Sequence, residues 1–224
     1  MGVNMKKTYI WDWPTRIFHW LLATVILFSF YSGLNGGLQE MEYHKISGFC
    51  ALTLIVFRIM WGFVSRGNAR FSKFLVSPKN ILTYIKSGIS GTQKDGHNPL
   101  GGMSVIAMLF IVLIQTGTGL FANDDIWIEG PLVHLVSEKV SSQLTSIHHI
   151  SAWLVGGLII LHLVAIFVHT VFLKHKIVNA MITGYRGSES QKDELKEIHP
   201  QQNLSAAMLL VIAATFVYTM VEYL

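Results

Sequence analysis

Residues Ile147–Leu173 read IHHISAWLVGGLIILHLVAIFVHTVFL, with no Asp, Glu, Lys or Arg among them. A bilayer takes about 20 apolar residues to cross, so this run predicts a membrane-spanning helix with length to spare for tilt. Inside it, His148 and His162 stand fourteen residues apart. Fourteen steps on an α-helix turn through about four circles less 40° and rise about 21 Å. The two imidazoles therefore share a face and sit near opposite sides of the membrane. An ionisable side chain as deep as His162 marks a functional position by default.

The rest of the chain agrees with a membrane protein. Of its 224 residues 51% are hydrophobic and 13% charged, and the mean hydropathy is +0.46; a soluble domain carries about 25% charge. A single cysteine, Cys50, excludes an internal disulfide, thiolate clusters and the Cys-x-x-Cys-His attachment of a covalent haem. The net charge of +4 is explained by its distribution between loops and gives no reason to expect nucleic acid as a partner. Met1–Lys7 resembles a basic leader, but no small-residue cleavage site follows the first apolar segment, which is read as a retained helix.

Five spans are predicted, at Ile17–Leu34, Ile46–Val64, Gly102–Phe121, Ile147–Leu173 and Leu204–Tyr223. The loops between them alternate in charge. Lys6, Lys7 and Arg16 precede the first span; Arg66, Arg70, Lys73, Lys79, Lys86 and Lys94 follow the second; Lys174, Lys176 and Arg186 follow the fourth. The other loops carry Glu40 and Glu42, then Asp124, Asp125, Glu129 and Glu138. Basic loops stay in the cytoplasm, so the N-terminus is expected inside and the C-terminus in the periplasm. Ser77-Pro78 with Ile81, Leu82 and Ile85, and Pro131–Leu144 with its own apolar stripe, read as helices lying on the membrane surface. The organisation is then a four-helix transmembrane domain over 1–186, a polar linker over 187–203 and an additional C-terminal transmembrane helix over 204–224, all α.

This topology gives each histidine a depth. His44 and His148 lie at the outer ends of spans two and four, and His19 and His162 at the inner level of spans one and four. Two sites follow, each clamped from two helices. Two histidines are too few for a closed zinc site, which takes four ligands, and within the spans only Cys50 and, at the end of the fifth, Glu222 could add to them, too few to complete one at either level. A haem iron already has four porphyrin nitrogens, so two imidazoles saturate it and suit it to electron transfer. Two non-covalent b-type haems are the expected cofactors, with His19, His44, His148 and His162 as the iron ligands. His149 lies 100° round the helix from His148 and is the alternative outer ligand.

Other residues are read around these pairs. Gly33 stands fourteen residues after His19, and span three carries Gly101, Gly102, Gly117 and Gly119; these either approach a porphyrin face or pack helices closely. Arg58, fourteen after His44, and Arg16, one turn before His19, are candidates to pair with the inner haem propionates, the alternative being snorkelling to the surface. His97 and Asn98, before span three, offer polar donors for a quinone head group, or simply a turn and cap. His169 either serves a quinone or proton route or ends its helix. His134, His175 and His199 read as solvated.

At this point the residues resemble a family. Ile10-Trp11-Asp12-Trp13-Pro14-Thr15-Arg16-Ile17-Phe18-His19-Trp20, then His44 to Gly48 with Arg58-Ile59-Met60-Trp61-Gly62, then His97-Asn98-Pro99-Leu100-Gly101 and Thr118-Gly119-Leu120-Phe121, and finally His148, His162 and Met181-Ile182-Thr183-Gly184 look like successive parts of the bacterial cytochrome b561 and nickel–iron hydrogenase b-type cytochrome family. The resemblance spans about residues 8–186. It implies a four-helix bundle holding two b haems, ligated by His44 with His148 and by His19 with His162. It also implies electron exchange across the bacterial inner membrane between a quinone pool and a periplasmic c-type cytochrome, a hydrogenase or a related dehydrogenase. A self-contained superoxide:quinone oxidoreductase of the same fold is the alternative. The chain departs from the family pattern in its fifth span, which has no histidine, and in His149, which stands where many relatives carry an acidic residue.

Overall fold

The computed structural model describes residues 6–75, 77–86, 99–124, 126–188 and 200–223. A short strand β1 (Lys6–Tyr9) leads into α1 (Trp13–Asn35), followed by α2 (Leu38–Val64), two short helices α3 (Phe71–Phe74) and α4 (Pro78–Lys86), and α5 (Pro99–Gly119). A single 3-10 turn at Val133–Leu135 precedes α6 (Glu138–Phe167), which runs on through a π turn at Val168–Phe172. Then come α7 (Ile177–Thr183), β2 (Tyr185–Ser188) and α8 (Pro200–Tyr223). Among the described residues five helices are long and apolar enough to cross a membrane.

Local chemistry sets the ends of the first hairpin. Asp12 caps α1, its Oδ1 accepting from the Thr15 N–H at 2.8 Å, and Pro14 fills the first turn. Gly36 ends α1 in the left-handed conformation (φ 68°), with its N–H directed back to the Ser32 carbonyl. The chain turns within Gly36-Gly37, so α2 starts at Leu38, eight residues before the expected Ile46. His44 is therefore well inside α2.

Two expectations change around α6. No surface helix is formed over Pro131–Leu144: after the 3-10 turn, Glu138 onward belongs to α6 itself. The reason is that no Gly or Pro lies between Glu138 and Ile147 to break the helix. The segment Tyr185–Ser188, partly within the expected polar linker, pairs as an antiparallel strand with Lys6–Tyr9, in the register Lys6↔Ser188 to Tyr9↔Tyr185. The ribbon continues into the Ile10 N–H, which donates to the Gly184 carbonyl at 2.8 Å.

Packing centres on α2. It contacts α1, α5 and α8, and α5 in turn packs on α6; α1 with α6 is not among the closely packed pairs. The main core runs through Phe18, Ile55, Phe57, Trp61, Leu109, Val112 and Val155. The fifth spanning helix, α8, brings buried Ala206, Ala213 and Val217 to its neighbours, small residues that let helices approach closely. The bundle is thus two hairpins, α1–α2 and α5–α6, joined along α2 and α5, with α8 on the outside.

Candidate functional site

Taking the basic ends as inner, the outer level lies where α1 ends, α2 begins and α6 enters the bundle. The His44 and His148 rings face each other there, with centroids 6.1 Å apart and planes at 89°. His44 Nδ1 lies 2.9 Å from the Ser29 carbonyl, and His148 Nδ1 lies 2.9 Å from the Gln115 carbonyl. A carbonyl only accepts, so each Nδ1 carries the proton and each Nε2 keeps its lone pair. Two glycines make room for the rings. A Cβ on Gly33 would stand 2.9 Å from His44 Cε1, and one on Gly119 would stand 2.9 Å from His148 Cε1. These glycines therefore seat the imidazoles.

A cavity of about 690 Å³ adjoins this pair, lined by Gly33, Gly48, Ala51, Gly119, Ala152 and both histidines among others. Its rim includes Asn123, Asp124, Ile128 and Glu129. His149 lies at that rim with an exposed side chain, its ring 6.3 Å from that of His148. Of the two neighbours, His148 is the one set against His44.

Gln115, which the sequence reading passed over, completes the outer level. Its side-chain nitrogen lies 3.0 Å from His148 Nε2 and 3.2 Å from Nδ1. Its Oε1 accepts from the Ser151 hydroxyl, and Ser151 is buried. Thr118 Oγ1 stands 3.5 Å from His148 Nδ1. Gln115 is the one amide in an otherwise apolar helix, which was a readable signal.

At the inner level the His19 and His162 ring centroids are 6.4 Å apart, with planes at 51°. His19 Nδ1 is buried without a hydrogen-bond partner. Two arginines are buried at the same end, Arg16 at 6% and Arg58 at 3% exposure. Arg16 Nη1 donates to the Ile182 carbonyl at 2.6 Å and its guanidinium stacks over Trp13. Arg58 Nη2 donates to the Ala69 carbonyl at 3.1 Å. Arg16 Nε and Arg58 Nη1 are buried with no acceptor. Asp12 stands nearby, accepting from the Trp61 indole N–H at 3.3 Å. The same carboxylate, after burial, pushes the Tyr9 phenol above its ordinary pKa.

The remaining candidates are scattered. His97 and Asn98 lie outside the described residues, as does His199. His134 is exposed. His169 and His175, the latter read as solvated, instead meet with their Nδ1 atoms 3.1 Å apart. The π turn and a left-handed Lys174 (φ 54°) fold His175 back, and its N–H donates to the His169 carbonyl at 2.9 Å.

The geometry fits a bis-imidazole iron centre at each level. Metal–nitrogen bonds of about 2 Å to two facing imidazoles put their ring centroids roughly 6.3 Å apart, against 6.1 and 6.4 Å here. Among the described residues no three His, Cys, Asp or Glu side chains converge as a metal site, and a haem, whose porphyrin supplies four nitrogens, is a group that two imidazoles suit. The Nδ1–H bonds to carbonyls are the usual support of a ligating histidine. The orphaned guanidinium nitrogens are donors that carboxylates would satisfy.

Comparison with known proteins gives the same direction. The family described as prokaryotic cytochrome b561 matches residues 10–184. The probable Ni/Fe-hydrogenase 1 B-type cytochrome subunit of Escherichia coli K12 is 22% identical over 229 residues, covering 87% of this chain and 97% of that protein. A probable Ni/Fe-hydrogenase B-type cytochrome subunit of Cupriavidus necator is 23% identical over 221 residues, covering 83% and 89%. Its counterpart in Bradyrhizobium diazoefficiens is 25% identical over 219 residues, covering 83% and 88%. No solved structure matches the chain.

Proposed function

The chain belongs to the prokaryotic cytochrome b561 family, and from that premise we propose that it holds two b haems and passes electrons across the bacterial inner membrane between a periplasmic redox partner and a quinone pool. The observation that carries this reading is the pair of imidazole couples, each at the spacing of a bis-histidine iron centre. The bound haems supply one-electron redox chemistry, and saturation by two imidazoles keeps that chemistry to electron transfer.

The chain's own residues hold, orient and exclude. His44 and His148 clamp the outer level from α2 and α6, and the Ser29 and Gln115 carbonyls fix their ring orientation. His19 and His162 clamp the inner level, with Arg16 and Arg58 ready to pair with propionates. Gly33 and Gly119 leave space for the outer imidazoles. The named relatives are hydrogenase subunits, which supports a Ni/Fe hydrogenase as the partner. A c-type cytochrome fits the same role, because Asp124 and Glu129 at the cavity rim favour a basic surface. Those carboxylates repel superoxide, which weighs against a self-contained superoxide:quinone oxidoreductase. The charge alternation supports a cytoplasmic N-terminus and a periplasmic C-terminus.

The test is spectroscopic. Purified full-length protein should show a reduced b-type spectrum with two haems per chain. His148→Ala should leave only the inner haem and His162→Ala only the outer one. Two haems retained after either change would refute the ligand assignment, and loss of the outer haem in His149→Ala with none in His148→Ala would move it to the neighbour.

A further inference from the structure

The two imidazole pairs are held differently on the side away from the partner ring. At the outer level both Nδ1 atoms lie 2.9 Å from main-chain carbonyls, of Ser29 and Gln115. Donating that proton pushes electron density into the ring and makes Nε2 a stronger donor to iron. A stronger donor stabilises ferric over ferrous iron. At the inner level His19 Nδ1 is buried with no such acceptor, so His19 gains no comparable push.

The charges differ in the same sense. Arg16 and Arg58 are buried at the inner end, each with a guanidinium N–H that no protein atom accepts. Neither forms an ion pair with a carboxylate among the described residues, where the close ion pair is Lys45 with Glu42 at the outer end. The Asp12 carboxylate, held by the Thr15 N–H and the Trp61 indole, is the negative charge near Arg58 and offsets one of the two positive charges. Buried positive charge favours the ferrous state, which carries one positive charge less. The outer cavity's lining includes one cation, the half-buried Lys45, which is neutralised by Glu42 at 2.6 Å, and its rim carries the Asp124 and Glu129 carboxylates. Negative charge there acts oppositely and favours the ferric state.

We infer that these residues make the two centres unequal. The carbonyl-backed His44–His148 pair holds the haem of lower reduction potential, and the His19–His162 pair, at the end where Arg16 and Arg58 are buried, holds the higher. The inference rests on the two-haem reading proposed above. Its consequence is a built-in sense of flow, from the outer level to the inner. An electron moving inward works against an inside-negative membrane potential, and a higher potential at the inner pair offsets that cost.

Spectroelectrochemical titration of the full-length protein in lipid nanodiscs tests it. Two components of different midpoint are expected. His148→Ala should remove the lower and His162→Ala the higher. Arg58→Gln should lower the higher midpoint and leave the lower one in place, while Arg58→Lys, which keeps the charge, should restore it. If Arg58→Gln does not fold, Arg16→Gln takes its place with the same expectation. Removal of the higher component by His148→Ala, or coincident midpoints in the unaltered protein, overturns the proposed order. Midpoints unmoved by the arginine change overturn the role given to the guanidinium. A protein with one haem or none fails earlier, at the two-haem reading itself.

Discussion

Gly119→Ala is the sharpest probe of the outer level, because the structure sets its size. The added Cβ would stand 2.9 Å from His148 Cε1 and 3.1 Å from Nδ1. Carbon contacts are comfortable at about 3.5–4.0 Å, so the ring must retreat by roughly half an ångström or more. It has little freedom to do so, because its Nδ1–H is committed to the Gln115 carbonyl at 2.9 Å. Overpacking of this kind costs about 1–3 kcal/mol. If that strain falls on the ligated state, outer haem affinity drops roughly 5- to 150-fold at 1.4 kcal/mol per tenfold. Gly117, two residues earlier on the same helix, is the control, since a Cβ there meets nothing within 4 Å. The assay is haem per chain by pyridine haemochrome, with the rate of haem transfer to a scavenging apoprotein. Gly119→Ala should fall toward one haem per chain and lose its outer haem faster, with Gly117→Ala unchanged. Equal stoichiometry and equal loss rates in the two variants would refute the seating of His148 against Gly119.

Four further outcomes are expected. Gln115→Leu should speed loss of the outer haem and spare the inner, read by the same transfer assay. Asp12→Ala removes both the α1 cap and the Trp61 indole acceptor; at about 1 kcal/mol each it should visibly lower the melting temperature in detergent. Lys174→Gly relieves a left-handed non-glycine residue, and should stabilise by about 1 kcal/mol, read by the same melt. Asp124 Oδ1 accepts from the N–H groups of Ile126, Trp127 and Ile128 at 2.8–2.9 Å, and the bonds hold its carboxyl below the ordinary pKa. A depressed carboxylate stabilises above its unfolded pKa, so exchange protection at those amides should persist above about pH 4, be lost as pH falls further, and vanish at all pH in Asp124→Ala.

The histidine depths were legible because helical rise is rigid: fourteen residues fix both face and level, whatever surrounds them. The five spans were legible for a similar reason, since apolar length is a local property. What escaped was mostly non-local. The Lys6–Tyr9 and Tyr185–Ser188 ribbon joins four-residue strands far apart in sequence, and neither strand shows apolar alternation. The meeting of His169 with His175 depends on a π turn and a strained Lys174, neither of which has a composition signature. The arginines were identified as candidates, but the buried orphan nitrogens that recommend them needed coordinates. Gln115 was different. Its amide in an apolar helix was visible, and attention to polar side chains at membrane depth, beyond histidines, would have found it.

The site also explains an unequal division of burial. In the most apolar part of α2 half the residues are buried, against 11% in α1 and in α6. Yet α1 and α6 carry three of the four clustered histidines. α1 packs mainly on α2, with a lighter contact to α8, and α6 packs on α5; each directs its histidine face across the bundle at another ring. The small residues between them, Gly33, Gly48, Ala51, Gly119 and Ala152, would ordinarily draw membrane helices together. Here the close approach is taken up elsewhere, as where the Ser29 and Ser47 hydroxyls meet at 2.6 Å between α1 and α2. The same small side chains then border a slot whose walls are held apart. A bundle selected only for helix packing would fill that space with larger side chains; glycine and alanine beside two carbonyl-oriented imidazoles keep it open.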